Sequence, residues 1–421
     1  MFRTVRLLPG SAAALCLAFL PACRGLKSGS EEDKKDSATT AGGVKRSPQE
    51  EAFLAKCAEM GKSPGTIAGR NGWFFASTEL QRLSSLTDPA APSIRAATAA
   101  IGDYAAQLKR EGAELVFVPV PPKAAIFPDE LAKDLKIKMR GKKPPRLDST
   151  LQEAYEGLRK KGVRVIDVTD HLLAVRDDRK LGPVFTKTAA VWSPRGAELA
   201  AAAIAREFKG AKWIGQSGKP GTLITEAATV SFTGPLAVGK VPPEFLPVRN
   251  VGRSSDGKMS SVTFSQGGHA LAIIGDETIL AWREANNPRG ASGTFASLAD
   301  QLAFELQTTP DIFPGNTDGR NSARMKILRE GTNGARPLGS AKVVLWVIEA
   351  IDLAVNDWRK VPLRLEFNLS QPEIQLTPAG GTGPGTASSR PAAAPLPVSN
   401  DNAAPIPPVQ EAPPSVPELP R

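Results

Sequence analysis

Two residue types that carry much of enzyme and extracellular chemistry are scarce: the 421-residue chain has three cysteines and two histidines. Cys16 lies in the N-terminal apolar segment and Cys23 just beyond it, so only Cys57 belongs to the part expected to fold. A lone cysteine makes no internal disulfide, and the core must hold by burial. Cys57 falls in the amphipathic stretch 50–60, where it reads as a small buried hydrophobe. No Cys/His cluster has metal-ligand spacing, and no Gly-Lys-Ser/Thr loop is present to cradle phosphate. No metal or cofactor is therefore expected. Apolar runs of about 18 to 20 residues, the length that spans a bilayer core, are also missing.

What stands at the N-terminus is an export signal in miniature. Arg3 and Arg6 precede the apolar run 12–20, and small residues lead to Cys23. Leu20-Pro21-Ala22-Cys23 resembles a bacterial lipobox, which makes 1–22 a signal peptide and Cys23 the lipidated residue; an ordinary signal peptide cleaved near Ala22 is the rival reading. Residues 23–48 are Ser, Gly, Lys, Glu, Asp and Thr in the main, too polar to bury a core, and read as a flexible tether. Residues 371–421 turn rich in Pro, Ala, Gly and Ser, as in Pro405-Ile406-Pro407-Pro408, and read as a disordered or polyproline-like tail. Such a tail either reaches a partner or is inert. The formal net charge is +10, which suits an acidic polysaccharide, an anionic lipid surface or simple solubility. No nucleic-acid recognition motif is visible.

Between the flanks, 49–370 reads as one domain in which helices alternate with short apolar strands. A helix over 93–111 leads to the strand 114–120, a helix over 149–161 to the strand 163–168, and a helix follows over 196–208. Further strands are expected at 270–275 and 342–348, with a helix over 295–306 between them. Continuous apolar strands alternating with helices argue for an α/β fold with a mostly parallel sheet covered on both faces. The segment 215–264, with Thr, Val, Pro and Gly in short extended runs over 221–264, reads as a small β-rich insertion.

The pieces come in a suggestive order. Gly69-Arg70-Asn71-Gly72-Trp73-Phe74-Phe75 is followed by Val118-Pro119-Val120-Pro121-Pro122-Lys123 and Phe127-Pro128-Asp129. Then come Val191-Trp192-Ser193-Pro194-Arg195-Gly196-Ala197, Ile274-Gly275-Asp276 and Val343-Val344-Leu345-Trp346. In this order they resemble the SGNH-hydrolase-like domain of the alginate O-acetyltransferase family (the AlgX and AlgJ type), over roughly 53–363. The resemblance implies a Ser nucleophile after Gly-Asp at a strand end, and an Asp-x-His-Trp element supplying the base and the acid that orients it. A hydroxyl is a weak nucleophile unless an imidazole within hydrogen-bond reach takes its proton.

The matching positions here are Glu277 for the Ser, Val191 for the His and Ala189 for the Asp. Neither Val191 nor Ala189 can do proton chemistry, while Trp192, Ser193, Pro194 and Gly196 keep the frame. His269 cannot substitute, because it opens the strand whose far end carries the site, about 20 Å away at ~3.3 Å per residue. His171 follows the second strand at the correct edge of the sheet, and reads either as a substitute base or as a partly exposed helix-start histidine. Thr278 and Ser193 offer hydroxyls without a visible base. Asp276 and Glu277, at the carboxyl end of a central strand, should face the crevice; Trp192, Asn316, Arg320 and Asn321 are the other candidate binding residues. The Asn and Gly residues of 316–321 are equally ordinary turn formers, and the tryptophans Trp73, Trp192 and Trp346 equally core anchors.

The expectation is an envelope lipoprotein, facing the periplasm or the surface, with a catalytically degenerate domain. It would bind acidic or acetylated polysaccharide, or polysaccharide-modifying or export proteins, and reach the membrane through its lipid. The alternative is an active polysaccharide O-acetyltransferase or acetylesterase with a divergent site.

Overall fold

The computed structural model describes residues 44–364 apart from 179, 215–222, 256–257, 284–293, 316–317 and 333. The leader, Cys23, most of the tether and the Pro-rich tail lie outside the described residues.

Five strands form one parallel sheet in the order Asp311–Pro314, Leu271–Gly275, Val343–Glu349, Glu114–Val120 and Arg164–Val165. The three inner strands are apolar on both faces because both faces are covered. Alternate residues go to opposite layers, as the two-residue period of a strand requires. Val116, Val118, Leu271, Ile273, Leu345 and Val347 pack on one side with Phe53 and Cys57 of Pro48–Met60, Leu80 and Leu83 of Ser77–Ser85, and the helices Pro194–Glu207 and Leu298–Leu306. Leu115, Phe117, Ala272, Ile274, Val344 and Trp346 face the other side, against Pro92–Arg110, Ser149–Lys160 and Ser322–Gly331. Cys57 is fully buried and free, and burial raises its thiol well above the usual range.

The helices start where their caps allow. Ser193 accepts from the Gly196 N–H and Pro194 opens the helix Pro194–Glu207, a good pairing because Pro lacks a donor that the first turn could not use. Ser297 and Asp300 form a reciprocal capping box that fixes the start of Leu298–Leu306. The helix expected from 295 therefore begins later; Phe295 instead exchanges backbone contacts with the insertion, donating to Asn250 Oδ1 and accepting from the Val251 N–H.

Two expectations about strands need correction. The strand expected at 163–168 is only Arg164–Val165. Asp167 accepts from the Thr169 N–H and hydroxyl, and this side-chain turn stops the strand and starts the helix Thr169–Ala174. The edge strand Asp311–Pro314 was not expected at all; it is short and closes on a proline, which an edge position tolerates.

The insertion is a three-stranded antiparallel sheet of Leu223–Phe232, Glu244–Ser255 and Lys258–Ser261. Arg249 ties it to the helix Leu298–Leu306 through Gln301 and Glu305, each at 2.8 Å. Glu244 ties its other end to the loop at 187–188, accepting from the Lys187 N–H and from the Thr188 N–H and hydroxyl.

Candidate functional site

Topology selects the place where a site should lie. The chain leaves Glu114–Val120 toward one edge of the sheet, and leaves Leu271–Gly275 toward the other. Where connections diverge, a crevice opens outside the carboxyl ends of the strands. A cleft of about 70 Å³ lies there, lined among others by Glu79, Arg82, Lys123, Val191, Trp192, Thr278 and Glu349. It holds a few waters at most.

Two segments distant in sequence meet at this cleft. The Trp192 indole N–H donates to the Thr278 carbonyl at 3.2 Å, and the Trp282 indole N–H donates to the Trp192 carbonyl at 2.8 Å. Val191 and Thr278 thus share one lining. Ala189 is buried at 3% exposure. Glu277 is exposed and does not line the cleft, although both its neighbours are buried. Asp276 turns inward: one oxygen accepts from the Thr278 N–H at 2.8 Å and from its hydroxyl at 2.5 Å, and the other from the Glu349 N–H at 3.1 Å. That arrangement caps the single turn Glu277–Ile279, and it leaves the Thr278 hydroxyl serving the cap. Close packing behind it requires glycine, since a side chain on Gly319 would begin 2.4 Å from the Asp276 nitrogen.

Lys123 is the most constrained side chain of the site. It is 1% exposed, and its Nζ donates to the carbonyls of Phe74 at 2.6 Å, Lys187 at 2.9 Å and Ala189 at 2.9 Å. An ammonium has three donors, and all three are used. The rings of Trp73 and Phe75 lie 5.3 and 5.2 Å from the nitrogen. Burial pulls the group down to about 7, against the pull of Glu79 and Glu244; three carbonyl oxygens also favour the charged form, so we assign the ammonium. Its role is to clamp the 187–189 segment onto the core.

Glu349 draws together four carboxyl groups at this end of the sheet, all displaced upward. Glu79 is raised by burial, and its Oε1 accepts from the Ala124 N–H at 2.7 Å. Asp276 is raised to about 6, by burial first and by Asp352 as well. Glu349 is raised well above the usual range by burial, then by Asp276, Asp352 and Glu79. Burial also raises Asp352, although Arg82 lies 2.8 Å away and Arg320 at 3.7 Å.

The remaining candidates are spent on structure. Trp192 is fully buried. Arg320 is 8% exposed and paired with Asp318 at 2.9 Å. Asn321 donates to the Asp357 carbonyl and accepts from Arg324 and the Arg359 N–H. Asn316 lies outside the described residues. Trp346 is buried with its N–H on the Gly319 carbonyl, and Trp73 packs on Phe127 at 4.0 Å. His171 is exposed on the helix Thr169–Ala174 and does not line the cleft. His269 sits at the opposite end of its strand, where its Nδ1 meets both Asp311 at 2.7 Å and Ser265 at 2.9 Å. A catalytic triad uses the two ring nitrogens for those two partners, so this cluster is a loop clamp.

Glu79, Lys123, Glu349 and Asp352 were not singled out from the sequence as site residues. A signal existed for Glu79: helical spacing places it beside Leu80 and Leu83 on the buried face of Ser77–Ser85.

The SGNH hydrolase-like domain of the acetyltransferase AlgX matches residues 66–250; the strand end at Gly275, Asp276 and Glu277 falls beyond the match. The probable alginate O-acetylase AlgJ of Pseudomonas aeruginosa is 29% identical over 147 residues, which cover 35% of this chain and 34% of that protein. Its counterpart in Pseudomonas fluorescens is 26% identical over 230 residues, 50% and 52% of the two chains. The chain thus spans about a third to a half of the length of these curated relatives. Among solved structures, the O-acetyltransferase domain of Pseudomonas putida AlgJ superposes with a TM-score of 0.49 at 20% identity, covering 70% of this chain and 93% of that one. Pseudomonas aeruginosa AlgX gives 0.46 at 15% identity, with 70% and 67% covered.

Proposed function

Starting from an SGNH hydrolase-like domain of the alginate O-acetyltransferase type, we propose that this chain is an exported lipoprotein whose domain no longer performs acyl transfer. It serves as a binding or accessory protein in the handling of an exopolysaccharide, in the cell envelope. The observation that carries the reading is Val191 on the cleft wall, at the position matched to the family's base, with neither histidine of the chain lining that cleft. Without an imidazole in reach, a hydroxyl there stays a poor nucleophile. Glu277, matched to the nucleophile, is exposed, and Ala189 offers only its carbonyl, which Lys123 occupies. What remains is a shaped frame whose partners are an acetylated or acidic polysaccharide, or the proteins that modify or export it.

The test is turnover of an activated acetyl ester by the mature protein beside Glu277→Ala. Removing triad members from a serine hydrolase lowers kcat by about 10⁶-fold, so both proteins should hydrolyse the ester no faster than an unrelated protein of the same charge. Robust turnover by the wild type that disappears in Glu277→Ala would overturn the reading in favour of an active enzyme with a divergent carboxylate site.

A further inference from the structure

The segment 133–142 lies between the turn Pro128–Glu130 and the helix Ser149–Lys160 and carries five cations in ten residues. Lys133, Lys136, Lys138, Arg140 and Lys142 are all exposed. From 135 to 140 the side chains alternate: Leu135 is buried and Ile137 half-buried against the core, while Lys136, Lys138 and Arg140 point out. An extended backbone puts alternate residues on one face, so these three cations form a row about 7 Å apart.

The row is held in place. The Lys138 N–H donates to Gln49 Oε1 at 2.7 Å, Arg140 and Lys143 exchange backbone hydrogen bonds around Gly141, and the Lys142 carbonyl accepts from Arg176 at 3.0 Å. Nearby carboxylates are already engaged: Asp134 with Lys56 at 2.6 Å, Asp170 with Lys143 and Arg146, and Asp148 and Asp167 with Arg146. Among the described residues none of the five cations has an ion-pair partner. Five like charges repel one another and contribute nothing to the fold; their field points outward.

Position decides which polyanion they meet. Gln49 lies in the first turn of Pro48–Met60, so the row flanks the point where the tether enters the domain. Cys23 stands 21 residues before Val44, the first described residue, so the chain between them bounds how far this face can lie from any bilayer that holds Cys23. We propose that 133–142 is a docking surface for anionic phospholipid headgroups, holding the domain against the membrane to which Cys23 is anchored. The proposal builds on the lipoprotein reading above. A basic patch adds electrostatic attraction to anionic lipid beside what the acyl groups supply.

The experiment uses the full mature chain with Cys23→Ser, unacylated, and vesicles of phosphatidylcholine with and without phosphatidylglycerol. Each Lys or Arg at an anionic surface contributes about five-fold in partitioning. Binding should therefore require phosphatidylglycerol, weaken with salt, and fall by about 10²-fold in Lys136→Gln/Lys138→Gln/Arg140→Gln. Lys136→Arg/Lys138→Arg should bind as the parent does. Thermal melting checks the fold of the triple variant; should it melt lower, the single Lys136→Gln, with about a five-fold loss, carries the test. Equal binding to neutral vesicles, or indifference to the substitutions, overturns the proposal. So does a soluble polyuronate that binds through these residues while the vesicles do not. Because no acyl chain is present, a failure here leaves lipidation untouched, and mass analysis of the N-terminal peptide tests lipidation separately.

Discussion

Replacing Lys123 by Met measures how far the clamp at the cleft supports the domain. Methionine is close to the lysine stem in volume, so little cavity is created, and the effect isolates the ammonium. Three carbonyls lose a donor, but two keep another partner: Lys187 accepts from the Phe74 N–H at 2.9 Å and Ala189 from the Thr186 hydroxyl at 3.3 Å. The Phe74 carbonyl loses its donor outright, which limits this contribution to roughly 1–3 kcal/mol. Glu79 loses its cation, but it retains the Ala124 N–H and, with its affinity for a proton already raised, neutralises instead of standing as a bare charge. The two effects place the loss near the lower end of the 3–5 kcal/mol typical of a broken buried pair, about 3 kcal/mol, or roughly a hundred-fold in the folding constant. Guanidinium unfolding at pH 7, followed by tryptophan fluorescence, reads it as a lower midpoint at unchanged slope. Adding Glu79→Gln should recover part of the loss. A loss below about 1 kcal/mol would mean that Lys123 is held neutral, and the assignment of the ammonium would fail.

Other perturbations probe the carboxyl cluster, the sheet and the N-terminus. Glu79, Asp276, Glu349 and Asp352 have carboxyls raised in the folded state; such groups stabilise fully below their unfolded values near 4, and that stability is lost as pH rises through the folded values, about 6 for Asp276. Midpoints should therefore fall between pH 5 and 8, and Glu349→Gln should raise the pH 8 midpoint and flatten the profile; an unchanged profile would refute the cluster's role. Gly275→Ala places a methyl 2.0 Å from the Val347 carbonyl of the neighbouring strand, and should destabilise by at least 3 kcal/mol, read by the same unfolding assay. If Cys23 carries the lipid anchor, Cys23→Ser in cells should move the protein from the membrane fraction to the soluble one once the membranes are washed in high salt, which screens the basic patch; equal association after that wash would count against lipidation.

The sheet was legible in the sequence because its inner strands are covered on both faces: 114–120 and 342–348 stand out as unbroken apolar runs, and the structure shifts them by at most one residue. The edges were less legible. Asp311–Pro314 has neither the length nor the composition of a strand and is held by pairing with Leu271–Gly275; Arg164–Val165 is cut short by the Asp167 turn. At the site, the motif residues showed where the frame lies, and Lys123 was visible within one of them. Its three carbonyl partners were not, because main-chain acceptors leave no trace in side-chain identity. The carboxyls converge from Glu79, Asp276, Glu349 and Asp352, whose separations in sequence hide that they are neighbours in space.

The three-carbonyl cage of Lys123 has one more consequence. A lysine at the bottom of a cleft would ordinarily attract an anion, but here its donors are all turned toward the main chain. Visitors instead face the carboxyls of Glu79 and Glu349. The positive field and the cleft are therefore separate: the net charge of +10 acts from the outer surface, while the small cleft offers carboxyls of raised proton affinity and the Arg82 side chain, with no free lysine donor.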